Sequence, residues 1–356
     1  MIKAEIIADS INSMGNRITT YILTFPRFIL AELNTHRVFS KNSASSRAIP
    51  FKTMLEKVET DPFIPIAWQK SHKGMQGTEY IKSSSEIRER EQLWIAAKDR
   101  AVELATKLYS ADVTKQLCNR LLEPFMWHTV ILTATEFENF FNLRCPQYEI
   151  DGKTYRSMQD AFNDIQDVEH PCWNWTLLEC LQNNKGQSEI HMMALAEAMW
   201  DAMNESTPKE LQAGEWHIPF GDKFDEDRIK SLFSGIGGTL KDYNEAMIDY
   251  KVMIATARCA RVSYLNFEGK DDYEADIKLF NRLKDLNHWS PFEHCARAMS
   301  ETEFSSYIRS EACSVDYGNL VIDDIIYLQR SFQENNFGWC RNYRGFVQLR
   351  AEMDKM

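Results

Sequence analysis

Pro26 is the residue that most restricts this chain. It ends RITTYILTF (17–25), a segment rich in β-branched and aromatic residues that reads as a buried strand. A proline ring cannot extend a sheet ladder but fits the first turn of a helix. The residues that follow, RFILAELNTHR, set Ile29, Leu33 and His36 or Arg37 at helical spacing, so a helix is expected at once. That helix delivers the chain into THRVFSKNSASSR (35–47), where His36, Arg37, Lys41 and Arg47 stand among five hydroxyls and Asn42. Donors this dense at the end of a packed helix suit a phosphate or another anion, because charge-assisted hydrogen bonds are short and strong. The plainer reading is a hydrophilic loop whose serines bond their own backbone. Neither G-x-x-x-x-G-K-S/T nor G-x-G-x-x-G occurs, so no phosphate loop or dinucleotide fingerprint accounts for the cluster. His36 as base with Ser45 as nucleophile is weak evidence for a triad at this spacing.

A net charge of -11 speaks against a general polynucleotide binder, which needs excess basic residues to displace counterions. No nucleic-acid partner is expected, and any anion has to be met by a local cluster such as 35–47. At 356 residues and 44% hydrophobic content the chain can bury a substantial core. No apolar run is long enough to span a membrane, and MIKAEIIADS lacks the charged start and apolar core of a leader. A cytoplasmic protein with no membrane partner is expected. The eight cysteines (118, 145, 172, 180, 259, 295, 313 and 340) are scattered without a C-x-x-C pair, so buried or idle thiols are expected and no metal site is assigned.

Residues 50–90 begin as a long loop bearing DPFIPIAWQKSHKGMQG and end in a charged helix, SSEIREREQLWIAAKDRAVELATKLYS. TATE (133–136) fits a capping box that opens a helix toward Arg144. Residues 146–185 shift to Asp, Gln and Asn and read as an insertion. SEIHMMALAEAMWDAM restores a helix, with Ile190, Ala194 and Ala198 or Met199 on one stripe, and a charged helix starts at about 271. The tail NNFGWCRNYRGFVQLR alternates arginine with aromatics and reads as a surface strand or helix packed on the domain.

THRVFSKNSASSR resembles the signature of the flavin-dependent thymidylate synthases: Arg-His-Arg, two residues, Ser, one residue, Asn, two residues, Ser, one residue, Arg. His36, Arg37, Ser40, Asn42, Ser45 and Arg47 stand at the matching offsets, with Thr35 in place of the first arginine. FENFFNLR (137–144), GQSEI (186–190), ARVSY (260–264) and HWSPFEH (288–294) are similar to further segments of the family. The last two precede the signature in the family and follow it here, from which a circular permutation is inferred. The resemblance implies an α+β fold with a mixed or antiparallel sheet and long helices. One domain (1–356) is expected, with an insertion at about 146–185 and a C-terminal extension at about 296–356.

What the family does is then implied for this chain: methyl transfer to carbon 5 of dUMP, with FAD, NADPH and methylenetetrahydrofolate, in a homotetramer whose subunits share active sites. Arg144 matches the family arginine beside the pyrimidine. Ser45 matches a serine once considered a nucleophile there, though no adjacent base is evident and a binding role is favoured. Ser45, Ser46, Arg47, Arg120, Arg144 and Glu32 are the implied nucleotide contacts. His36, Arg37, Val38, Asn139, Ser263, His288, Ser290 and Glu293 are the implied flavin contacts. Glu32 stands where the family has glutamine, Thr35 where it has arginine, and Ser43 where it often has glutamate. These departures motivate alternatives: another pyrimidine nucleotide, a hydroxymethyl product, or a non-catalytic nucleotide- or flavin-binding homologue.

Overall fold

The computed structural model describes residues 1–73, 77, 79–233, 240–264, 272–307 and 336–354, without the side chains of 240–242. The expected strand forms as β2 (Arg17–Pro26), beside β1 (Lys3–Asn12). A single 3-10 turn over Arg27–Ile29 leads into a short α1 (Leu30–Leu33), so His36 and Arg37 lie in the turn beyond the helix and not on it. Next come β3 (Ser40–Ser43), α2 (Phe51–Thr60), α3 (Ser84–Ser110), α4 (Lys115–Cys118), β4 (Trp127–Ala134) and α5 (Glu138–Arg144). The segment after residue 145 folds into the hairpin β5 (Tyr148–Ile150) and β6 (Lys153–Tyr155), then α6 (Met158–Asp164) and α7 (Leu177–Gln182). The long α8 (Ile190–Glu205) follows, with β7 (Lys209–Leu211), β8 (Trp216–His217), α9 (Glu226–Leu232), α10 (Leu240–Arg261) and α11 (Tyr273–Asp285). The chain closes with β9 (Ala296–Ala298), α12 (Glu301–Ser306), β10 (Trp339–Cys340), β11 (Tyr343–Arg344), β12 (Phe346–Gln348) and α13 (Leu349–Met353).

The fold is a mixed α+β arrangement around a five-stranded sheet, ordered β3-β4-β2-β1-β7. Its pairs are antiparallel except β1 with β7. Side chains of a strand alternate between faces, and β2 has a core on each. Ile22 sits opposite Ile131 and packs with Ile7 against α9, α10 and α11. Tyr21, Leu23, Val130 and Leu132 face the other way, onto Phe140 and Phe141 of α5 and Met192, Leu195, Ala196 and Met199 of α8. Each such side chain contributes about 2 kcal/mol by leaving water. A chain of buried hydrogen bonds crosses the sheet: Ser10 Oγ to His217 Nδ1 (2.9 Å), His217 Nε2 to Thr20 Oγ1 (2.8 Å), Thr20 to Thr133 (2.7 Å), and Thr133 to His294 Nδ1 (2.8 Å).

Several expectations are corrected. TATE caps no helix: Thr133 and Ala134 finish β4, Thr135 Oγ1 accepts from the Arg344 amide (2.9 Å), and α5 starts at Glu138 without a side-chain cap. Strand pairing to β2 and β3 has taken the threonine that a cap would have used. The loop expected from residue 50 starts as helix α2, which buries Phe51, Met54 and Val58. On α8 the stripe is Met192, Leu195, Ala196 and Met199, while Ala194 and Ala198 are only partly buried.

The tail is no surface element: Tyr343, Phe346 and Val347 are fully buried, and β12 pairs with β9. Gly345, at φ +76°, turns β11 into β12, and its carbonyl accepts from Asn12 Nδ2 (2.8 Å). A Cβ there would come within 2.5 Å of Asn12 and Asn16, so the position needs glycine. The described cysteines are all free thiols, buried except for the half-buried Cys180; Cys313 lies outside the described residues.

Candidate functional site

Arg144 is the last residue of α5, a favourable end for a cation because helix carbonyls accumulate negative potential there. Its Nε donates to His36 Nε2 (3.1 Å) and its Nη1 to Ser188 Oγ (3.2 Å). His36 is buried, stacked against Phe39 and edge-on to Phe140. Burial, helped by the positive Arg144 and Lys41, pushes its pKa down to about 4. The ring is therefore neutral near pH 7 and accepts at Nε2, which places its proton on Nδ1. Arg144 is thus hydrogen-bonded to two uncharged groups.

Glu32 lies beside this pair. Burial raises its pKa, the Glu189 carboxylate raises it further, and Arg144 and His191 pull the other way. Its Oε2 is buried and makes no hydrogen bond to a described residue. Glu189 caps α8, accepting from the amides of His191 (2.8 Å) and Met192 (3.0 Å) and from His191 Nδ1 (2.6 Å). His36, Val38 and Asn139 line one cavity of about 350 Å³, with Glu136, Phe140, Trp339 and Arg344.

A second, larger cleft of about 560 Å³ contains Ser263, His288 and Ser290, with Lys41, Asn42 and Ser43 of β3 as one wall and Arg261 and Arg282 opposite. Here the signature segment meets the C-terminal half of the chain. Ser45 N donates to Ser263 O (3.1 Å), and Asn42 Nδ2 donates to Cys259 O (3.4 Å). Glu293 lines neither cavity: its carboxylate accepts from Arg350, and its carbonyl accepts from Tyr343 Oη.

Ser46 and Arg47 form a third group with Arg120. Asn119 Nδ2 donates to Ser46 O (2.7 Å) and to Ile49 O (3.1 Å), which fastens the 46–49 turn to the segment that carries Arg120. Arg120 is committed to Glu123 (2.8 Å), whereas Arg47 is exposed. Ser45 stands between the second and third groups, and its hydroxyl bonds no described residue, so no base activates it. Arg37 is exposed and likewise bonds none.

Sequence reasoning placed Lys41 in the anion cluster but did not single out Ser188, Glu189, Arg282, Trp339 or Arg344 as contacts. Ser188 and Glu189 sat in a quoted motif, and Trp339 and Arg344 in the arginine–aromatic tail. For Arg282, on a charged helix, there was no signal at all.

No family model matches the chain, and no curated protein matches it. Among solved structures it is similar to a UMP/dUMP methylase PolB from Streptomyces cacaoi bound with 5-Br dUMP: TM-score 0.37 and 14% identity over 53% of this chain and 66% of that one. The same methylase bound with 5-Br UMP gives TM-score 0.40 and 14% identity over 58% and 89%. A flavin-dependent thymidylate synthase ThyX from Helicobacter pylori, complexed with FAD and dUMP, gives TM-score 0.25 and 15% identity over 52% and 67%. TM-scores below one half at such identities place the chain in no family, so the function is argued from its own residues.

Proposed function

We propose that this chain methylates a pyrimidine nucleotide at carbon 5, converting dUMP to dTMP with methylenetetrahydrofolate as carbon donor and FAD reduced by NADPH. The observation that carries the reading is the convergence of the matched segments. Asn42 is hydrogen-bonded to Cys259, the residue before ARVSY and 217 positions away, Ser45 contacts Ser263, and His288 and Ser290 line the same cleft. Arg144 reaches His36 from the other direction. Four of the five matched segments thus meet around one loop, and the fifth supplies Ser188 to Arg144. A circularly permuted connection accounts for this meeting in the unfamiliar chain order.

The chemistry asks for negative charge to be stabilised on the pyrimidine ring oxygens as carbon 5 becomes nucleophilic. Arg144, permanently charged and held by neutral partners, serves that end. Neutral His36 orients it without competing for the ligand. Ser45, Ser46 and Arg47 hold the phosphate, and Arg120 joins them by exchanging Glu123 for it. FAD, when bound and reduced, supplies the hydride, so no cysteine nucleophile is required.

The donors suit FAD. His36, Asn139, Phe140 and Trp339 offer aromatic walls and an amide for a planar ring, while Ser263, His288 and Ser290 sit among cations fit for a diphosphate. Their separation into two cavities suits a cofactor shared between subunits, as in a homotetramer.

A second reading keeps the same machinery for another pyrimidine, or for a hydroxymethyl product. The Oε2 of Glu32, buried beside Arg144 and bonded to no described residue, favours it, because a carboxyl oxygen there tells a cytosine amino group, which donates to it, from a uracil oxygen, which does not. The test is anaerobic: protein loaded with FAD and reduced is mixed with methylenetetrahydrofolate and either dUMP or dCMP. Flavin reoxidation is followed and the nucleotide is weighed. One added methyl on dUMP supports the first reading, reaction of dCMP or an added hydroxymethyl the second. FAD binding with no nucleotide-dependent reoxidation would overturn both in favour of a binding protein.

A further inference from the structure

The 146–185 segment carries a constellation that the proposed site does not use. Asp151 and Gly152 form the turn between β5 and β6, both at positive φ (+50° and +78°), which sets Asp151 at the tip of the hairpin. His170 opens the 3-10 turn Pro171–Asn174, where its Nδ1 accepts from the Cys172 amide (3.3 Å). A backbone amide can only donate, so Nδ1 is the bare nitrogen and the ring proton sits on Nε2, which donates to Asp151 Oδ2 (3.1 Å). Cys172 Sγ lies 3.0 Å from the same Nδ1. Capping alone accounts for the amide contact, but not for a thiol and a carboxylate on the two nitrogens of one ring. Thiol, base and carboxylate follow one another, with the tautomer that lets the ring take the thiol proton. Exposure falls along the row: the Asp151 side chain is 74% exposed and that of His170 21%, while Cys172 is 1% exposed, in a small core with Ile150 and Ala161.

We infer that Cys172 is a modification site, a thiol that His170 and Asp151 activate toward hydroperoxides. Burial and the Asp151 charge raise the pKa of this thiol, so the sulfur keeps its proton near neutrality and reacts only as His170 removes it. In the step, the proton passes from Cys172 Sγ to His170 Nδ1 while the sulfur electron pair attacks one peroxide oxygen and the O–O bond breaks. The departing hydroxide takes the proton back from His170 and leaves as water. Sulfur is oxidised to a sulfenic acid, the peroxide is reduced, and Asp151 faces the imidazolium while it exists. Cys180, in the same segment, provides the comparison. It is half-buried, burial raises its pKa to about 11, and no imidazole bonds to it. Exposure alone would make Cys180 the faster of the two thiols, whereas activation makes it Cys172. The inference stands apart from the methylation reading, which needs no cysteine.

The experiment exposes the full chain to hydrogen peroxide in the presence of dimedone, which traps sulfenic acid, and follows each cysteine by peptide mass against time. Wild type, His170→Asn, Asp151→Asn and Cys172→Ser are compared. Asparagine keeps a cap acceptor at 170 and tolerates the positive φ at 151, and circular dichroism melts verify that each variant is folded. In wild type Cys172 is expected to be trapped about tenfold faster than Cys180, although it is the more buried. His170→Asn should slow trapping at Cys172 about a hundredfold through loss of the base. Asp151→Asn should slow it about tenfold, because the ring loses the acceptor that fixes its tautomer. Neither change should alter the rate at Cys180, and Cys172→Ser should remove the fast site alone. Cys172 trapped no faster than Cys180 in wild type overturns the inference, as does an unchanged or higher rate at Cys172 in folded His170→Asn. If His170→Asn does not fold, the wild-type comparison and Asp151→Asn decide in the same way.

Discussion

Helix α8 touches two regions that bury charge of opposite sign. At its N-terminus Ser188 holds Arg144, whose other partner is neutral His36. Midway along, Glu197 accepts from Tyr148 Oη (3.1 Å) and the Met158 amide (3.0 Å), and so fastens the 146–185 segment to the helix. Asp160 and Asp201 lie near it, with Asp160 accepting from Trp200 Nε1 (2.6 Å). The buried acid is the group whose charge depends on pH near neutrality. Burial first, with Asp201 and Asp160 adding to it, raises Glu197 to about 7. The first region presents a cation to a ligand, the second is a junction whose buried carboxyl changes charge near pH 7.

Arg144→Met attacks the first region directly and should lower kcat/KM by about a thousandfold, equivalent to about 4 kcal/mol, in steady-state assay with the proposed nucleotide. An unchanged rate would mean that the charge held there has no catalytic use. The junction is next. Glu197 has a folded pKa near 7 against 4.5 ordinarily, so the folded state holds the extra proton between these values. Its stability is fully present below about pH 4.5 and is lost as pH rises through 7, by about 3 kcal/mol in total. Glu197→Gln should flatten that slope and raise the melting temperature at pH 8; parallel melting profiles from pH 5 to 8 would sink the idea.

His36→Leu leaves Arg144 Nε without its acceptor and should weaken nucleotide binding about tenfold, about 1.4 kcal/mol. His36→Gln, which keeps an acceptor, should stay closer to wild type by titration calorimetry. The smallest effect belongs to Thr176→Ala, which removes the capping box of α7 within the docked segment. It should cost about 1 kcal/mol in urea denaturation, with activity unchanged.

Local features carried well from sequence to structure. β2, its stop at Pro26, the charged α3 and α11, and the existence of α8 were all legible, because each rests on a period or a breaker within one segment. α2 went unread although Phe51, Met54 and Val58 are spaced for a helix, since the prolines that follow dominated the window. The capping box at Thr133 failed for the opposite reason: local propensity was right and a long-range strand pairing overrode it. In the site, His36 and Arg144 were named separately, but their contact spans 108 residues and no spacing contains it. The tail's burial depends on β9, Glu293 and Ser40. Those are facts about packing, and a one-dimensional pattern cannot hold them.

The hydrogen-bond chain from Ser10 to His294 has a further consequence. Burial drives His217 to about 4 and His294 to about 3, so each ring carries a single proton. A row of hydroxyls and singly protonated rings has two self-consistent arrangements, one with every bond donating toward His294 and one with every bond donating toward Ser10. His294 Nε2 is buried without a partner among the described residues. In the first arrangement that atom is a stranded N–H, in the second a stranded lone pair, and a stranded acceptor is the better tolerated of the two. The row therefore points toward Ser10, which gives the sheet an internal polarity, and a tautomer change at either ring reverses the bonds between them.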